Sequence, residues 1–109
     1  MVVPERGQII KVNFNPQLGS EQAGYRPALV LSHTAYNQIT GMLLACPITS
    51  RLRGYPTELV LPEGLETHGA ILSTQIKALD WRVRPFTVVE KLDTAILEQV
   101  LDRLIAVIA

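Results

Sequence analysis

Apolar and polar residues change their spacing along this chain, and the changes divide it into elements. QIIKVNF, residues 8–14, mixes β-branched and aromatic side chains and runs into the turn pair Asn15-Pro16, which predicts a strand. PALVLS at 27–32 and MLLACPI at 42–48 are short unbroken apolar runs, the pattern of strands covered on both faces. Between them HTAYNQITG predicts a short helix near 33–39, with Thr34 as its cap and Gly41 as its stop. TELVLP at 57–62 alternates and ends at Pro62; GAILS, QIKALDW and FTVVEKL (86–92) supply the remaining strands. Six or seven short strands at roughly ten-residue spacing predict a small barrel or sandwich.

The C-terminal segment has a different period. Ile96, Leu97, Val100, Leu101, Leu104, Ile105 and Ile108 recur at intervals of three and four, which predicts an amphipathic helix over about 93–108. Asp93 stands at its N-cap position, with Leu92 and Leu97 placed for a hydrophobic staple across it. The chain therefore reads as mainly β (α+β). No repeat, linker or low-complexity tract interrupts it, so residues 1–109 are expected to form a single domain.

Composition narrows the class. With 48% hydrophobic and 18% charged residues and no apolar stretch of membrane-spanning length, a globular protein without a membrane partner is expected. The N-terminus lacks a signal-peptide pattern and Cys46 has no cysteine partner, which together point to the cytoplasm. Ten basic and ten acidic residues cancel, so there is no strong net positive charge of the kind that marks many nucleic-acid binders. The distribution is uneven: residues 26–84 carry six basic side chains against four acidic, and residues 85–109 two against four. A basic middle of this kind permits a local anion site.

Motif chemistry is mostly excluded. His33 and His68 belong to no metal-ligand spacing and read as surface or turn histidines, while one cysteine cannot make a zinc knuckle, so no metal and no cofactor are expected. Cys46, inside an apolar strand, reads as an inert core thiol. Polar residues at strand ends remain: Glu21 and Arg26 before the second strand, Thr49, Ser50, Arg51 and Arg53 after the third, Gln75 and Lys77 in a later one. By themselves they read equally as solvated turn residues.

In order, GQIIKVNFNP, GSEQAGYRPALVLS, a Tyr-Asn pair at 36–37, CPITS at 46–50, GYP at 54–56 and QIKALDWR at 75–82 resemble the MazF/PemK family of toxin endoribonucleases. The resemblance implies an SH3-like barrel of the CcdB/PemK type, working as a homodimer. It further implies cleavage of single-stranded RNA at short sequences without a metal, and neutralisation by a cognate antitoxin protein. In such chemistry the neighbouring 2′-hydroxyl is the nucleophile, so the enzyme needs only proton transfer and charge stabilisation. Arg26 matches the arginine of the family's G-x-R-P motif, and a guanidinium that keeps its proton suits stabilisation of a pentavalent phosphate and, secondarily, donation to the leaving 5′-oxygen.

Thr49 matches the family's P-x-T-S threonine, also placed at the active site. Glu21, in GSEQ, is either the proton acceptor or a loop charge paired with Arg26. Gln22, Gln75 and Lys77 suit contacts to bases and phosphates; Arg51 and Arg53 add backbone contacts beside Ser50; Tyr25, Tyr55 and Trp81 are aromatic enough to stack a base, though Trp81 reads more readily as core. Tyr25 stands where some relatives carry histidine, which argues against a mechanism needing an imidazole at that point. Two rival readings stay open, a gyrase poison of the CcdB type, disfavoured by the apolar ending IAVIA, and a non-catalytic SH3-like binding module.

Overall fold

The computed structural model describes residues 2–15 and 24–109. Seven strands and two helices follow one another as β1 (Gln8–Asn13), β2 (Tyr25–Val30), α1 (Thr34–Thr40), β3 (Met42–Thr49), β4 (Glu58–Val60), β5 (Ala70–Leu72), β6 (Lys77–Asp80), β7 (Phe86–Lys91) and α2 (Thr94–Ile108). Each predicted segment has its counterpart. The second strand begins earlier than its apolar run, because pairing with β1 continues to Asn13↔Tyr25 and the Phe14 amide donates to the Gly24 carbonyl at 2.9 Å. Tyr25 and Arg26 are therefore strand residues.

The strands form an antiparallel sheet in the order β4-β5-β3-β2-β1-β7, with β6 also paired to β3. The expected mainly β architecture with a C-terminal helix is present, and the sheet is not closed. Its longest strand, β3, serves β2 on one side, while on the other it pairs first with β6 along Met42–Ala45 and then with β5 at Ile48 and Thr49. Strands β4 and β7 end the order without pairing to each other among the described residues.

Both faces of the central strands are covered, as unbroken apolar runs require. On one face Ile9, Leu29, Leu31, Cys46, Ile48 and Ile71 cluster with Leu92, Leu97 and Val100 under α2. On the other, Ile10, Val12, Phe14, Ala28, Val30, Leu43 and Ala45 cluster with Leu79 and Trp81. Burying each such side chain contributes about 1.5–3 kcal/mol, so a core two layers deep stabilises a chain this short. Leu92 and Leu97 share the first cluster, in keeping with the staple, but Asp93 caps α2 without a side-chain hydrogen bond. Its carbonyl instead accepts the Ile96 and Leu97 amides.

α1 departs similarly from its predicted cap. His33 occupies the N-cap, and the hydroxyl of Thr34, already helical, accepts the Arg6 amide at 3.1 Å. Gly41 does end the helix, at φ +72°, a conformation open to glycine. Along α2 the apolar stripe packs inward as far as Leu104, whereas Ile105 and Ile108 are exposed.

Candidate functional site

The two strands that carry the Arg26 and Thr49 motifs separate near their ends. β2 and β3 pair through Ala28↔Pro47, and Pro27 and Pro47 have no N–H with which to extend the ladder. Carried two residues further, the same register sets Arg26 opposite Thr49. Where the ladder stops, a groove of about 350 Å³ opens, lined by Gly24, Tyr25, Arg26, Pro27, Ile48, Ser50 and His68. Arg26, half-buried at the mouth of an anchored strand, places a permanent cation in this groove.

Thr49 sits behind the lining. It is buried, and its hydroxyl accepts the Arg51 amide at 3.1 Å, forming the turn that swings Ser50 into the groove. A hydroxyl that accepts one bond still has a proton to donate. Arg51 and Arg53 lie on the exposed loop that follows. Glu58 of β4 braces that loop: its carboxylate accepts the Arg53 amide at 3.0 Å and the Gly54 amide at 2.9 Å. Gln75 and Lys77 are half-buried on the far edge of β3, where Lys77 pairs with Ala45, outside the groove lining. Glu21 and Gln22 lie outside the described residues.

Of the aromatic candidates, Tyr25 and Tyr55 are exposed and Tyr25 lines the groove. Trp81 is core: its indole N–H donates to the Asn37 carbonyl at 2.9 Å and its ring meets Phe86 edge-on at 6.4 Å. Cys46 is fully buried and burial pushes its thiol up to about 12, which leaves it inert at neutral pH.

His68, read from the sequence as a surface or turn histidine, is exposed and also lines the groove. It stands on the groove wall because the next residue, Gly69, presses its backbone against β3; a Cβ there would run into the Thr49 carbonyl oxygen, and its φ of +118° suits only glycine. The preceding residues are tied to β7, where the Glu90 carboxylate accepts the Glu66 amide at 3.1 Å, the Thr67 amide at 2.8 Å and the Thr67 hydroxyl at 2.7 Å. Desolvation opposes ionisation of Glu90, but the hydrogen bonds from Thr67 and Glu66, with nearby His68, outweigh it and hold its carboxyl below the ordinary carboxylate value. The only signal in the sequence was the His-Gly pair itself.

An open antiparallel sheet with an arginine in the groove where two of its strands part defines a small β protein whose groove is suited to an anionic ligand. Residues 5–108 match the model of the PemK-like, MazF-like toxin of type II toxin-antitoxin systems. The endoribonuclease toxin MazF of Escherichia coli K12 is 51% identical over 85 residues, covering 78% of this chain and 76% of that one. The endoribonuclease toxin ChpB of the same strain is 40% identical over 110 residues, covering 95% and 93%. MazF from Deinococcus radiodurans superposes with a TM-score of 0.94 at 42% identity, covering 99% of this chain and 98% of that one. A MazE-MazF structure from that organism gives 0.87 at 38% identity, covering 100% and 98%. The chain belongs to the PemK-like, MazF-like toxin family.

Proposed function

We propose that this toxin is an endoribonuclease that cleaves single-stranded RNA by attack of the 2′-hydroxyl on the adjacent phosphorus, without a metal, releasing a 2′,3′-cyclic phosphate and a 5′-hydroxyl. The observation that carries the reading is Arg26 in the groove where β2 and β3 part, in a chain whose relatives are endoribonucleases. There the guanidinium can hold two non-bridging oxygens and neutralise the charge that grows on them as the pentavalent phosphate forms. The Ser50 hydroxyl, on the opposite wall, and the Thr49 hydroxyl behind it are the neutral donors for the same oxygens. Glu21 is assigned the 2′-hydroxyl proton, and Gln22, Tyr25, Arg51, Arg53, Gln75 and Lys77 the flanking RNA.

The same reading takes residues 1–109 as one toxin domain, supported by the extent of the family match. It pairs the chain with a cognate antitoxin, as in the MazE-MazF structures, and with a second copy of itself, for which the exposed Ile105, Val107 and Ile108 offer apolar area. A cytoplasmic location follows from an mRNA substrate; no helix among the described residues is long and apolar enough to cross a membrane. Purified protein incubated in EDTA with a single-stranded RNA and its deoxynucleotide counterpart tests the proposal. Cleavage of the RNA alone, with 5′-hydroxyl ends, is expected; dependence on added metal, or cleavage of the DNA, overturns it.

A further inference from the structure

Breaking the bond to the 5′-oxygen needs a proton as well as a stabilised phosphate. Arg26 is a poor source, because a guanidinium surrenders its proton only far above neutral pH. An imidazolium is far better matched to transfer near neutrality. Among the residues that line the groove is one histidine, His68, which is exposed and shares the lining with Arg26 and Ser50. Its position is built rather than incidental. Gly69 fixes the backbone on one side through its close approach to Thr49, and the Glu90 carboxylate fixes Glu66 and Thr67 on the other through three hydrogen bonds.

We propose that His68 is a catalytic residue that donates the leaving-group proton. The proposal rests on the RNA-cleavage reading. As the 2′-hydroxyl passes its proton to the base assigned above and its oxygen bonds to phosphorus, the P–O5′ bond breaks, and the 5′-oxygen takes the electron pair of that bond and a proton from the His68 imidazolium. The product is a 5′-hydroxyl, and neutral His68 regains a proton from water. The charged and titratable groups around it are Arg26 and Tyr25 of β2, Glu90 of β7 and Glu66 of its own loop.

The test compares two RNAs, one with the ordinary 5′-oxygen at the cleaved bond and one with a bridging 5′-sulfur, whose thiolate leaves without protonation. His68→Gln is expected to cleave the oxygen substrate about 10²-fold or more slowly than the parent protein, the usual scale of general acid catalysis, and the sulfur substrate at close to the parent rate. Arg26→Ala is expected to be slow on both. Because His68 is exposed, the thermal midpoint of His68→Gln should match that of the parent. Equal rates for His68→Gln and parent on the oxygen substrate, or an equal loss on both substrates, overturns the role of His68 while leaving RNA cleavage intact. Failure of the parent to cleave either RNA overturns the reading on which the role depends.

Discussion

Replacing Glu90 with glutamine removes one charge from a carboxylate that accepts three hydrogen bonds, at 2.7, 2.8 and 3.1 Å, from two amides and a hydroxyl. An amide side chain keeps one acceptor oxygen and turns an NH₂ group toward a donor, so one or two of these bonds are lost. Charge-assisted bonds contribute about 1.5–3 kcal/mol each, and partial exposure of Glu90 reduces this, giving an expected loss of about 1–2 kcal/mol near pH 7. For a chain of 109 residues the unfolding entropy is roughly 0.23 kcal/mol/K, so the midpoint should fall by about 4–9 °C.

The pH dependence of that gap has a definite sign. The carboxyl of Glu90 is held below its ordinary value of 4.5 in the folded protein. Its stabilising contribution is therefore complete above the unfolded value and is lost as the pH falls through the folded one. Once protonated, glutamic acid resembles glutamine in charge, and the two proteins should converge. Thermal melts of parent and Glu90→Gln from about pH 7 downward measure it. No gap at neutral pH, or a gap that stays constant into the acid range, refutes the argument that a charged carboxylate holds the 66–68 segment.

Arg26→Ala should reduce RNA cleavage by about 10²–10³-fold with little change in midpoint, and Arg26→Lys should restore little of it, because an ammonium cannot grip two phosphate oxygens; restoration by lysine would show that charge alone suffices. Gly69→Ala should destabilise by roughly 2 kcal/mol or more in urea unfolding, since it adds both a strained positive φ and a collision with the Thr49 carbonyl; an unchanged midpoint would mean that the two backbones can part cheaply. Cys46, with its thiol near 12 and no exposure, should react with iodoacetamide at least roughly 10³-fold more slowly in the native protein than in the denatured chain. Comparable rates would place the thiol at the surface.

The strands and helices were legible because each depends on near neighbours in sequence. Unbroken apolar runs at 27–32 and 42–48 became the two strands covered on both faces, and the three-and-four spacing after Asp93 became α2. Closure was not legible, because it depends on which strands pair. One strand, β3, takes β5, β6 and β2 as partners, and a local pattern of side chains is silent about such sharing. Arg26 emerged from its motif, whereas His68 did not. Its place comes from a glycine backed onto Thr49 and a carboxylate on β7 more than twenty residues away, contacts that no spacing in the sequence encodes.

The pairing of β1 with β7 has a bearing on how the polypeptide is born. The first strand made at the ribosome, Gln8–Asn13, finds its outer neighbour only when Phe86–Lys91 arrives, and Ile9 shares its cluster with Leu97 and Val100 of the final helix. Contacts that distant in sequence form late, and the hydrophobic layer under α2 stays incomplete until nearly the whole chain has left the exit tunnel. Arg26, on the neighbouring strand β2, therefore stands on a scaffold that is complete only once β7 and α2 have packed.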